Sequence, residues 1–457
     1  MKLHSLRMTL SRMVLMTLIA VLATVTPCGA APAATPGLTV NTKGILLHAG
    51  RPYRGIGVNY FSAFYRTLLT PGDTSYEAGF QTLHGLGIPF CRLMGGGFWP
   101  NEQKLYHDNP HEFFRRFDAV VRSAERNHVG LIPSLFWNES TVPDLVGEPV
   151  SAWADPKSKT RAYMRGYVRD VVGRYRHSPA VWGWEFGNEF NLNAALPNAT
   201  EHRPQVAPSL GTPASRSARD EMTYADIRAA FAAFAQEVRR YDPDRIISTG
   251  DSFPRESAWH NQAEKTWVAD TPAQAALMLR ADNPAPTDVI SVHAYGDCAA
   301  TIRTDAAWGR QWGKPLFVGE FGAPGPPGTS DAEFRSLLKA IEDSGVPLAA
   351  LWVYDFSRQD ADFNVTKTNG RAYQLRAVSE ANARLRAEGA ASTAPARQQK
   401  QKSNPQSGRA TPRAEGQPPE REGNHGGLPL PGTDGVGRGR PPCLPFSPIL
   451  THAIAPA

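Results

Sequence analysis

Cysteine is scarce: the chain has 457 residues and only four cysteines, at 28, 91, 298 and 443. That is too few for a disulfide scaffold, and an odd number would remain once an amino-terminal leader is cleaved. No CxxC, HExxH or HxH pattern occurs, so the common zinc arrangements are absent and no metal or cofactor is expected. Charge of one sign is lacking too. Lys and Arg number 49 against 43 Asp and Glu, a net charge of +6, and the basic residues are scattered, so nothing points to nucleic acid. Long apolar runs are confined to residues 13–25, a stretch too short to span a bilayer comfortably. No internal repeat is visible.

That apolar run follows Lys2, Arg7 and Arg12, which is the order of a secretory leader, and small residues at 28–33 supply a cleavage site. Residues 1–33 are therefore expected to be a signal peptide and the protein to be secreted, extracellular or periplasmic. Pro27 before Cys28 argues against a lipidation box. From residue 388 to 457 Gln, Pro, Gly, Arg and Ser take over and apolar periodicity stops, the composition of a disordered tail. Between 35 and 387 short apolar runs alternate with amphipathic stretches, as in a parallel sheet with helical crossovers. Strands are predicted at 53–58, 89–94, 130–135, 181–187, 245–249, 289–293, 315–319 and 349–353. Each is followed by a helical pattern, so the economical fold is a (β/α)8 TIM barrel acting as a monomer. A small hairpin, 38–40 with 45–47, precedes it.

One stretch organises the rest. Residues 181–190 read VWGWEFGNEF. Period-2 alternation puts Trp182, Trp184 and Phe186 on one face and Gly183, Glu185 and Gly187 on the other. Aromatics facing outer helices and small residues facing a narrow interior suit a barrel strand. The strand delivers Asn188 and Glu189 to the carboxyl end, where parallel barrels keep their chemistry. Residues 315–322, PLFVGEFG, bring a second carboxylate, Glu320. Two carboxylates at two strand ends are what glycosidic cleavage needs. Either acid alone reads as a solvated strand-end charge. The remaining strand ends add Asn59, Arg92, Trp137, Asn138, His293, Tyr295 and Trp352: amide, cation, imidazole and phenol groups for sugar hydroxyls, and aromatic faces for ring C–H surfaces. Alone, Arg92 is a structural ion-pair partner, His293 a satisfied core histidine and Trp352 a core tryptophan. Glu185 reads as structural, paired with an inward basic group such as Arg54. Asn191 to Arg219 forms a long Pro-rich loop, and loops of that length are functional or disordered.

Gly-Asn-Glu at 187–189, His-Ala-Tyr at 293–295, Gly-Glu-Phe-Gly at 319–322, Arg92 and Trp352 resemble the retaining (β/α)8 glycoside hydrolases, most of all family 5, which includes cellulases and β-mannanases. The resemblance covers nearly all of the barrel. It implies Glu189 as acid/base and Glu320 as nucleophile, Asn188 on the sugar 2-hydroxyl, Arg92 and Tyr295 holding Glu320, and His293 and Trp352 shaping the cleavage subsite. Many cellulases of the family carry His-Asn after the third strand. This chain has Phe136-Trp137-Asn138 there, closer to the mannanase-like branches. The expected substrate is a β-1,4-linked polysaccharide or oligosaccharide of mannan type. The alternatives are a β-1,4-glucanase, an exo-acting β-glycosidase and, more remotely, a non-catalytic carbohydrate-binding barrel.

Overall fold

The computed structural model describes residues 37–326 and 328–393. The expected leader, Cys443 and nearly all of the expected tail lie outside them. A three-stranded antiparallel sheet comes first, β1 (Leu38–Val40), β2 (Leu46–His48) and β3 (Arg51–Pro52). Eight parallel strands follow: β4 (Gly55–Asn59), β5 (Phe90–Met94), β6 (Gly130–Phe136), β7 (Gly183–Gly187), β8 (Ile246–Ser248), β9 (Ile290–Tyr295), β10 (Leu316–Gly322) and β11 (Leu348–Leu351). They pair in the order β8-β7-β6-β5-β4-β11-β10-β9. The ring closes where Asp288 N donates to Ile247 O at 2.9 Å and Ile247 N to Asp288 Oδ2 at 2.7 Å. This is the predicted (β/α)8 barrel, with all eight strands where the apolar runs placed them.

Helices form where apolar spacing and caps agree. In Pro110–Arg126, Asn109 accepts from Glu112 N at 3.1 Å, Pro110 supplies a preset φ, and Phe113, Phe117, Val120 and Val121 line the buried stripe. Each such aromatic or aliphatic side chain removed from water contributes about 2 kcal/mol. Four short helices that the periodicity missed lie in the connections: Ser62–Leu69, Pro100–Asp108, Thr141–Val146 and Ala258–Glu264. The final helix, Ala372–Thr393, runs past the expected domain boundary at 387.

Inside the barrel, side chains form two layers. The lower is apolar: Phe90, Ile132, Ile246, Phe317, Leu348 and Ala350 meet Leu38 and Leu46 of the hairpin, which plugs the bottom. Two residues further along the strands the same face turns polar, with Arg92 above Phe90, Ser134 above Ile132 and Ser248 above Ile246. Trp182 departs from expectation. It precedes β7 and packs into the floor against His48 and Tyr53, while Trp184 and Phe186 face the helices as predicted. Gly95 to Gly97, a run of three glycines directly past β5, are held in place. They are buried, with Gly95 N donating to Ser134 O at 2.8 Å and Gly97 N to Gln103 Oε1 at 2.7 Å. A cavity of about 560 Å³ opens at the bottom end, lined in part by Tyr53, Leu316 and Leu385, and shares no residue with the strand-end acids. Among the described residues no helix is long and apolar enough to cross a membrane.

Candidate active site

Arg92 is the hub of the upper layer. It is fully buried on β5, and its guanidinium reaches four side chains. Nε donates to Glu185 Oε1 at 2.6 Å, Nη1 to Glu320 Oε1 at 2.7 Å and to Asn59 Oδ1 at 3.1 Å, and Nη2 to Asn188 Oδ1 at 2.9 Å. The ring of Trp137 lies against it, 4.5 Å from Cζ to centroid. These contacts correct one expectation and occupy a second predicted residue. Glu185 does not pair with Arg54, which instead donates to Glu342 O at 2.7 Å outside the barrel. Asn59, expected at a sugar hydroxyl, is turned to the protein. It is fully buried, and its amide nitrogen donates to Gly319 O at 2.9 Å and to Ala350 O at 3.3 Å, so both ends are spent on the protein.

Glu320 faces inward because β10 bulges. Val318 pairs with Val292 but Glu320 with His293, so two residues of β10 oppose one step of β9. Strict alternation from Phe317 would have turned Glu320 outward. Its second oxygen accepts from the Tyr295 hydroxyl at 2.5 Å. Burial raises the Glu320 pKa from the ordinary carboxylate value, and the Arg92 charge and the Tyr295 hydroxyl oppose that rise.

Glu189 sits just past β7 at φ +56°, a left-handed conformation uncommon for a residue with a side chain. Its N–H donates to Gly250 O at 2.9 Å. Gly250, at φ +79°, could carry nothing larger, since a Cβ there would stand 2.0 Å from Gly187 O. His293 Nδ1 lies 2.9 Å from Glu189 Oε1 and 3.6 Å from Glu320 Oε2. Burial, reinforced by Arg92, holds the His293 pKa well below its ordinary value, so the imidazole is neutral. A neutral imidazole donates to a carboxylate in one tautomer and accepts from a carboxylic acid in the other. Glu189 itself is pushed well above the ordinary carboxylate range, first by burial and then by the charge of Glu320. Burial thus pushes both acids toward the protonated form, Glu189 the further of the two, while the cation beside Glu320 favours its charge.

One oxygen of each carboxylate and a ring nitrogen of His293 all lie within 4.8 Å of one another. That set has the residue types of a metal site. Both Glu320 oxygens, however, already accept hydrogen bonds, one of them from a guanidinium that would repel a cation. The set fits an acid pair better than a ligand shell.

Trp137 and Trp352 stack at 6.1 Å and 27°, and Trp352 Nε1 donates to Gln359 Oε1 at 2.9 Å. Phe363 meets Tyr295 edge-on at 5.5 Å. Asn138, half-buried, turns its side-chain oxygen to Ser140 N at 2.9 Å. Asn188 offers Arg92 only its oxygen. The strand-end reading missed the loop after β8. There Arg255, whose charge acts on Glu189, donates through Nε to Leu192 O at 2.6 Å. Asp251 Oδ1 accepts from Asn191 N at 3.2 Å, and Asn191 Oδ1 accepts from Ser252 N at 3.2 Å. The signal was present in Asp251-Ser252, a polar pair directly past a predicted strand.

A family model described as cellulase (glycosyl hydrolase family 5) matches residues 68–356, well over half of the chain. The chain belongs to glycosyl hydrolase family 5. This family 5 chain is similar to mannan endo-1,4-beta-mannosidase A of Hypocrea jecorina, 23% identical over 252 residues, covering 51% of this chain and 49% of that protein. It is also similar to the probable mannan endo-1,4-beta-mannosidase A-2 of Aspergillus terreus, 37% identical over 82 residues, or 16% of this chain and 20% of that one. The family 5 chain spans no more than about half the length of these curated relatives. Among solved structures, the endo-1,4-beta-mannanase of Rhizomucor miehei superposes with a TM-score of 0.56 at 15% identity, over 77% of this chain and all of that one. The endo-beta-1,4-mannanase of Thermotoga petrophila gives 0.52 at 15% identity, over 73% and 78%. At such identities these structures show a shared barrel.

Proposed function

We propose that this family 5 chain is a retaining glycoside hydrolase acting on β-1,4-linked chains of mannan type, with Glu320 as nucleophile and Glu189 as acid/base. The observation that carries the reading is the asymmetric pair itself: two carboxylates with oxygens inside 4.8 Å, one on a guanidinium and a phenol, the other beside a neutral imidazole. Retaining enzymes keep the two groups about 5 Å apart, whereas inverting enzymes leave room for a water. Glu320 attacks the anomeric carbon while the Glu189 proton passes to the leaving oxygen. Glu189, now anionic, then takes a proton from water, which displaces Glu320. Asn188, held by Arg92 beside Glu189, is placed to meet the 2-hydroxyl of the sugar under attack. The stacked Trp137 and Trp352 and the neighbouring Tyr295 give apolar faces for the rings. Mannan is preferred because the relatives with matching sequence act on mannan and because Trp137-Asn138 follows β6. Action as a monomer, residues 1–33 as an exported leader and one catalytic domain ending at the helix Ala372–Thr393 belong to the same proposal.

The test is stereochemical. With an activated aryl glycoside, Glu189→Ala still permits attack by Glu320 but has no base for water. Azide needs none and should yield a glycosyl azide of retained configuration. In Glu320→Ala azide enters the vacated space and the product should be inverted. NMR of the two azides checks the roles: exchanged outcomes mean the acids are swapped, and an inverted sugar from the native enzyme refutes retention.

A further inference from the structure

One connection at the mouth of the barrel is held unusually firmly. Beyond Glu189 the chain runs through residues 194–220 before the helix Tyr224–Arg239. At the base of this segment Ala195 N donates to Met222 O at 2.8 Å, and Lys265 Nζ to Ala195 O at 3.2 Å. Its far side is clamped to the connections above β5 and β6. Arg216 grips Asp144 with both nitrogens, Nη1 to Oδ1 at 2.5 Å and Nη2 to Oδ2 at 2.8 Å, and the two side chains are only 4% and 0% exposed. Asn101 Nδ2 donates to Ser209 O at 2.9 Å. Gly211, at φ +97°, lies so close to the helix Pro100–Asp108 that a Cβ would stand 2.7 Å from Asn101 Oδ1. Pro208 and Ser209 face solvent, while Ala207 and Leu210 pack on the aromatic cluster that holds Trp137, Tyr295 and Trp352.

The neighbouring connections are tied in turn: Thr141 Oγ1 donates to Phe98 O, and Trp153 Nε1 to Glu139 O at 2.8 Å. Beneath this rim Glu189 is 6% exposed and Glu320 2%. A sugar inside a β-1,4 chain is tethered on two sides, at C1 and at C4. Cleavage in mid-chain therefore needs two exits on opposite sides of the carboxylates, and a fixed wall on one side leaves one.

We infer that residues 194–220 form a fixed wall that confines the site to chain ends and short oligosaccharides, with Arg216 as the residue that sets this specificity. A wall held by a buried two-pronged ion pair does not swing aside cheaply, because separating such a pair leaves uncompensated buried charge. The inference rests on the glycosidase reading and narrows its substrate from the interior of a polymer to its terminus.

The full chain is given a mannan hexasaccharide labelled at its reducing end, and the earliest products are sized by mass. One fragment length cut from one end is expected, and mannan viscosity should stay nearly constant while reducing sugar accumulates. A spread of internal fragments, or viscosity that collapses early, overturns the inference and leaves the glycosidase reading standing. If no β-1,4 mannan or glucan oligosaccharide is cleaved, the reading itself fails and the inference with it. The variant Arg216→Ala with Leu210→Ala should raise the ratio of internal to terminal cleavage about tenfold. Its turnover of an aryl glycoside, which needs only one exit, should be retained and shows that it is folded. A folded variant whose fragment pattern matches the native one overturns the role of Arg216.

Discussion

Glu185→Gln tests the site from below. Glu185 is wholly buried, accepts from Arg92 Nε at 2.6 Å and from Ser248 Oγ at 3.1 Å, and touches no position a sugar could reach. Its charge nevertheless bears on Glu320, because both acids share one guanidinium. Glutamine keeps the shape and an acceptor but removes a negative charge. With two carboxylates about 6 Å apart across the guanidinium and an effective dielectric of about 20, the lost repulsion is about 2–3 kcal/mol, or nearly two pK units at most. Arg92 also gives Glu320 its undivided charge. Both effects lower the pKa of Glu320. With Glu320 as the proposed nucleophile, activity needs it ionised and is lost as the pH falls through its pKa, so the acidic limb of kcat/KM should move to lower pH by about one to two units. The weakened Arg92 contact should cost about 2 kcal/mol of stability, typical of a hydrogen bond to a charged group. The assays are a pH profile on an aryl glycoside and a denaturant melt. An acidic limb that stays put or moves up would refute the shared-guanidinium argument. A folded variant as inactive as Glu320→Gln would make Glu185 part of the chemistry.

Tyr295→Phe removes the hydroxyl donor to Glu320, so its acidic limb should move the opposite way, up by about one unit, in the same pH profile. Arg92→Lys replaces a fork that reaches Glu185, Glu320, Asn59 and Asn188 with a single ammonium. Steady-state kinetics should show kcat/KM down by about a hundredfold or more, one charge-assisted contact's worth. A chain ending after Thr393 should match the full mature chain in melting temperature and turnover, because the last helix already closes the barrel. A clear loss of either would show that the remaining residues pack on it.

Strand count was legible because short apolar runs alternate with helical patterns eight times, and strand ends because most of those runs close on a chemically unusual residue. That combination put Glu189 and Glu320 at strand ends from the sequence alone. What escaped depends on geometry between strands. The partner of Glu185 is set by the stagger of β5 against β7, which no single strand encodes. The inward turn of Glu320 depends on a bulge that period-2 reasoning cannot see, with Gly319 as its one hint. The carbonyl partners of Asn59 were not foreseen because a strand-end amide looks alike whether it meets sugar or a neighbouring carbonyl. The helices Pro100–Asp108 and Thr141–Val146 are too short to show a period. The clamp of Arg216 on Asp144 joins residues 72 positions apart in two connections that both read as loop.

The apolar floor under the charged layer acts as an electrical insulator. Phe90, Ile132, Ile246 and Phe317 keep water from beneath Arg92, so the field of the guanidinium is not short-circuited downward but ends on the two carboxylates beside it. The hairpin extends that insulation to the end of the barrel, with Leu38 and Leu46 completing the seal. A hole opened in this floor would let solvent screen the charges from the side opposite the substrate. The difference between the two acids, on which their separate roles depend, would then shrink without any residue near the sugar having moved.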